Sequence, residues 1–127
     1  MFVPPMPHDD YIDAVAHLLT GLGHEPKQWW TTSPDGEQLD GVIILGRSAD
    51  WPGGVFLGWD QRSGWQLCDT GTRTLYDLQI GTYPNPEAVA TRAAERLDGR
   101  PDTMVDVGWD GAHALAEAVA AWEREGT

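Results

Sequence analysis

Few side chains in this 127-residue chain have types and spacings that suggest chemistry. Asp13, His17 and His24 step along the sequence by four and then seven residues, so one helix face could present all three. Asp-x-x-x-His can contribute to a metal site, but two or three ligands fall short of a closed structural set. Surface solvation at a helix accounts for these residues more simply, and no metal is expected. Gly46-Arg47-Ser48-Ala49-Asp50 lacks the second glycine of a nucleophile elbow. The sole cysteine, Cys68, ends an apolar run and precedes Asp69, whose charge discourages a thiolate; it reads as a buried structural thiol. No His-Glu-x-x-His, Walker loop, dinucleotide fingerprint or Cys-x-x-Cys occurs. With 20 acidic residues, carboxylate pairs arise by chance and carry no glycosidase signal. We therefore assign no catalytic residue and no cofactor, and leave open an enzyme whose residues gather from distant segments.

Tryptophan is the outlying residue type, with seven copies. Trp59, Trp65 and Trp122 fall on apolar faces and read as core. Trp29 and Trp30 are adjacent, so in a strand one faces a helix layer or solvent and the other does the opposite. Trp51 and Trp109 lie in Gly/Asp-rich bends, where a large ring has no periodic reason to be buried. Rigid aromatics in such places can plug a core edge or anchor a partner. Trp51 and Trp109, with Asp50, Asp60 and Arg62 in the same kind of loop, form the candidate partner-binding set.

Charge narrows the partner. Eight bases against 20 acids give a formal net charge of −12. Lys27 is the only lysine, and the arginines are scattered. Such a surface repels nucleic-acid phosphates and anionic lipids, so neither direct nucleic-acid binding nor membrane binding is expected. A protein partner, basic in character, fits better. Apolar residues make up 41% of the chain, too many for a disordered tail, and no run approaches the length of a membrane span. The start, Met1 to Pro7, has no basic region followed by an apolar stretch, so no signal peptide is expected and a cytoplasmic location is. The length suits one domain over 1–127, with residues 1–7 flexible.

These residues must be positioned by about eight elements. Segment 9–23 carries apolar residues at Tyr11/Ile12, Val15, Leu18/Leu19 and Leu22, which is helical spacing, with Asp9 or Asp10 as cap. Segment 86–98 has Asn85 as cap, Pro86 at the first position, and Gly99 and Pro101 as stops. Segment 111–124 is alanine-rich, with a Leu115, Val119, Trp122 stripe. The middle, 28–82, reads as a meander of about five short strands. Ser33-Pro34-Asp35-Gly36 and Asp60 to Gly64 supply turns, and Tyr76, Leu78 and Ile80 alternate with polar residues in the last strand. The run Val42 to Leu45 does not alternate, which suggests cover on both faces. Residues 104–107 could add an edge strand. The fold class is α+β: a two-layer sandwich with an antiparallel meander between one N-terminal and two C-terminal helices.

The residues His8-Asp9-Asp10-Tyr11, Leu22-Gly23-His24, Trp29-Trp30, Pro34-Asp35-Gly36, Gly53 to Asp60, Gly64 to Leu67 and Tyr83-x-x-Pro86 resemble a family of small actinobacterial, Trp-rich, acidic proteins of unknown function. The resemblance spans about residues 8–100. Scarce lysine with abundant Ala, Gly, Asp and Arg suits a GC-rich genome of that kind. Its signatures are Trp and Gly positions, so it implies no mechanism and no site. The functional expectation is a protein-binding or regulatory module. The alternatives are an acidic inhibitor (an immunity protein, an antitoxin or a DNA mimic) and a small-molecule binder or enzyme with a Trp-lined pocket.

Overall fold

The stripe Tyr11/Ile12, Val15, Leu19 is carried by α1 (Asp9–Gly21) in a computed structural model that describes residues 6–33 and 39–125. Ile12, Val15 and Leu19 lose all contact with solvent, worth roughly 1.5–3 kcal/mol each. The expected cap is corrected: His8, not Asp9 or Asp10, occupies the N-cap position. The Asp9 carboxylate is committed elsewhere, accepting from the Met6 N–H at 2.9 Å and from the Thr31 hydroxyl. It thereby ties the start of α1 to the first strand.

The meander follows as β1 (Gln28–Thr32), β2 (Asp40–Gly46), β3 (Val55–Asp60), β4 (Gly64–Asp69) and β5 (Thr74–Asp77). All neighbours are antiparallel and the sheet order is the chain order. The turn expected at Pro34-Asp35-Gly36 and the first five residues lie outside the described residues. Leu57 pairs with Ile43 and Leu67, and Trp59 pairs with Trp65, so these side chains share the face under the helices. Gly41 lies on that face too. A Cβ there would come within 2.6 Å of Ile12 Cδ1, so glycine permits the closest approach of α1 to β2.

The last strand ends earlier than its alternation suggests. Gln79 adopts a left-handed φ of 58°, and Leu78 and Ile80 turn down into the core after β5 has stopped. Helix α2 (Pro86–Leu97) begins as its sequence signals, with Asn85 Oδ1 accepting from the Ala88 N–H at 2.7 Å. The stretch 104–107 is not a strand. It has no regular structure and docks on the start of α2, where Val107 O accepts from the Asn85 N–H at 3.0 Å. Helix α3 (Gly111–Glu125) buries Leu115 and Val119.

The α+β architecture is as expected, with one further correction. The run Val42 to Leu45 is not covered on both faces: Ile43 is buried, whereas Val42 and Ile44 are only half-buried. The helix-contacting side chains of β2–β4 lie on one face, and no described element covers the other.

His8 makes stability depend on pH. Its ring is fully buried, 5.5 Å from the Trp59 ring. Nε2–H donates to the Asp40 carbonyl at 2.8 Å, which leaves Nδ1 buried without a partner. Burial holds the pKa below its usual value, against the opposing pull of the Asp40 carbonyl and the charges of Asp9 and Asp40. The folded state therefore keeps His8 neutral where the unfolded chain, titrating near ~6.5, takes up a proton. This contribution is complete above the unfolded value and is lost as pH falls through the depressed folded value. Denaturant unfolding across mildly acidic pH should show a steeper loss of stability in the wild type than in His8→Gln, which keeps a donor toward Asp40 but cannot titrate. Parallel curves would refute the assignment.

Candidate functional site

Three aromatic donors from distant segments grip three consecutive carbonyls between β5 and α2. Trp59 Nε1 donates to Thr82 O at 2.8 Å, Trp109 Nε1 to Tyr83 O at 2.8 Å, and the Tyr11 hydroxyl to Pro84 O at 2.6 Å. Tyr11 also accepts from Trp65 Nε1 at 3.0 Å, and its ring stacks on Trp109 at 5.7 Å. Burial pushes the Tyr11 phenol well above its ordinary range, so it stays protonated and remains a donor. This cluster joins α1, the sheet and the approach to α3. The tryptophans in it fasten the core.

The candidate set from the sequence falls into three places. Asp50 and Trp51 line a cleft beside the start of β3, with Trp51 Nε1 donating to Leu97 O at 3.1 Å. Asp60 and Arg62 lie at the other end of β3, where Asp60 Oδ1 accepts from the backbone N–H groups of Arg62 and Ser63 and shapes the turn. Trp109 belongs to the helix layer. Five residues of strand separate the first place from the second, about 17 Å. The structure therefore brings Asp50 together with Trp51, and Asp60 with Arg62, but does not unite the five residues. Both loop indoles are partly buried, with their N–H groups turned inward.

The tryptophan that faces water is Trp30, at 39% exposure. Its neighbour Trp29 turns to α1 and donates to Asp13 Oδ1 at 2.7 Å. Trp30 pairs with Val42, Ile44 with Phe56, Phe56 with Cys68, and Cys68 with Leu75. These side chains share the open face. Trp30, Val42, Ile44 and Phe56 form its apolar part, which reaches Leu75, 60% exposed, across the buried Cys68, while Gln28, Gln66 and Asp77 stand on the same face. At ~4.8 Å per strand the face is roughly 19 Å from β1 to β5. Asp40 and Asp60 are cross-strand partners on the same face and form its acidic end. Sequence reading placed Trp29 and Trp30 on opposite faces, with solvent or a helix as the alternatives, but could not say that the whole sheet face would follow Trp30. The half-buried Val42 and Ile44 were masked by the run's lack of alternation.

The Asp13, His17, His24 set does not converge. His17 Nδ1–H donates to the Asp13 carbonyl at 2.7 Å, and His24 lies 3.1 Å from Asp98. Among the described residues no group of three His, Cys, Asp or Glu is placed to hold a metal ion. Burial raises the Cys68 pKa, so the thiol is not activated. No described helix is long and apolar enough to cross a membrane.

These features define a two-layer α+β protein with helices on one face of a meander and an open apolar face on the other. The chain belongs to a family of unknown function, DUF6292, whose model matches residues 11–95. Neither a curated protein nor a solved structure matches it. The matched span takes in most of α1, the whole sheet and most of α2; α3 lies beyond it.

Proposed function

We propose that the protein is a binding module that docks a protein partner on the open face of its sheet. The carrying observation is that face itself. Trp30, Val42, Ile44 and Phe56 form an apolar surface, extended across the buried Cys68 to Leu75 and flanked by Gln28, Gln66 and Asp77, that no described element covers. Patches of several hundred Å² are rare on soluble monomers and mark interaction sites. The occupant is a protein apolar at its centre and basic at its rim. Asp40 and Asp60 edge the face, Asp60 keeps the partner role read from the sequence, and the net charge of −12 steers a basic surface in. The same charge opposes a second copy, because two such chains repel. An uncharged apolar face alone would give no preference between these occupants.

The test is photocrosslinking in the native host from position 44, with position 91 on α2 as the control, followed by reconstitution of the captured pair. The expected result is capture of a distinct protein from position 44 alone, whose binding weakens as salt is raised. Capture of a second copy, or a complex insensitive to salt, would overturn the reading.

A further inference from the structure

The end of the sandwich opposite the β3–β4 turn holds a second feature, independent of the sheet face: a cleft of about 310 Å³. Val55 and Leu45 contribute apolar lining, and the segment leaving α1, the end of α2 and the β2–β3 loop wall it. One wall is fixed. Trp51 is tied to Leu97 O through its indole N–H, and its ring meets Tyr76 edge-on at 6.3 Å. Its backbone N–H and C=O close a reciprocal turn with Ser48.

Four solvent-exposed charged side chains line this cleft, each without an ion-pair partner among the described residues. Lys27 is anchored by its N–H to Ile44 O at 2.7 Å, and its stem crosses Gly46, where a Cβ would come within 3.0 Å of Lys27 Cε. Gly46 has φ +83°, so glycine both makes the bend and clears the lysine's path. The Arg47 stem runs past Gly54, where a Cβ would stand at an ordinary contact distance of 3.7 Å from its Cγ. Glu25 and Asp50 stand on the same cleft. Among the described residues, none of these four lies within 4.0 Å of an opposite charge. The remaining polar side chains of the α1 and α2 walls, His24 and Asp98, are engaged with each other at 3.1 Å, and Asp98 also with Arg100 at 3.2 Å. The α2 arginines behave differently: Arg92, Arg96 and Arg100 all meet carboxylates.

Two unmatched cations and two unmatched anions thus share one preformed cleft without bridging to each other. A simple anion entering it meets two carboxylates, and a simple cation meets Lys27 and Arg47. A molecule carrying both charges satisfies both sets. We propose that the cleft binds a zwitterionic small molecule of amino-acid size, its carboxylate held by Lys27 and Arg47, its ammonium by Asp50 and Glu25, and its side chain against Trp51. The volume lies at the small end of ligand pockets.

The test is calorimetric titration of the full chain with the common amino acids and a panel of dipeptides. Each ligand that binds is repeated as its N-acetyl and methyl-ester derivatives, with inorganic phosphate alongside. At least one zwitterion should bind saturably, and blocking either charge should weaken it about tenfold or more. Lys27→Ala/Arg47→Ala and Asp50→Asn should each lose binding while their unfolding temperatures stay close to wild type. The proposal is overturned if no zwitterion binds at millimolar concentration, if blocked derivatives or phosphate bind as well, or if the folded variants bind normally.

Discussion

Replacing Trp30 and Leu75 with glutamate is expected to abolish partner binding while the fold survives. Trp30 is 39% exposed and Leu75 60%, and they stand on the two edge strands of the open face. Their removal costs little internal packing, so the change in stability should stay near the surface norm of about 0.5 kcal/mol per site. Binding should respond far more strongly. A buried tryptophan anchor contributes about 2 kcal/mol or more at an interface, roughly thirtyfold in affinity. The choice of glutamate separates the two forces at work. Added negative charge helps recruit a basic partner, so a loss of binding must come from the lost apolar contact. Urea unfolding alongside a binding titration of the reconstituted pair checks both halves. Normal binding by the folded double variant would place the docking surface elsewhere.

The largest stability effect is expected at Arg92. Its side chain is buried on α2, where NH1 donates to Leu78 O at 3.0 Å and NH2 to Thr103 O at 2.7 Å. It thereby fastens the exit of β5 and the loop after α2 to one helix. Glu95, also buried, lies 3.4 Å from Arg92 Nε but without an aligned hydrogen bond, and accepts from the Thr103 N–H at 3.0 Å. Arg92→Met would leave Glu95 buried beside no cation and two carbonyls without donors. Removing one partner of such a pair costs about 3–5 kcal/mol. Arg92→Met/Glu95→Met should recover a substantial part, because the isolated charge is gone. Urea unfolding of the three proteins measures this. A single variant that loses under ~1 kcal/mol would show that solvent reaches the pair.

Arg92 also shows where sequence reading stopped. It sits in the C-terminal half of α2, where the negative end of the dipole favours a cation that needs no burial. Its burial depends on Leu78 and Thr103, which arrive from other segments. Features set by neighbours in sequence were legible. Asn85 caps α2 because its oxygen reaches an N–H three residues on, and Trp29 and Trp30 diverge because strand side chains alternate. Features set by distant partners were not. Asp9 looked like a cap until Met6 and Thr31 claimed its oxygens. Trp51 and Trp109 looked free because the carbonyls of Leu97 and Tyr83, which receive their N–H groups, lie 46 and 26 residues away. The open face was hidden for the same reason: a continuous apolar run signals burial on both sides, and only the placement of the helices reveals that one side is bare. The cleft charges were legible one by one, never as a set, because Glu25 and Lys27 leave α1 while Arg47 and Asp50 belong to the β2–β3 loop.

The central claim is that recognition happens on the sheet and not on the helices. Methyl-labelled protein titrated with its reconstituted partner reads this directly. Val42, Ile44 and Leu75 report on the open face, and Leu18 and Leu22 on the groove between α1 and α2. Saturation transferred from the partner to the first three methyl groups, with the α1 leucines unchanged, is the predicted result. Transfer to Leu18 and Leu22 with a silent sheet face would contradict the account.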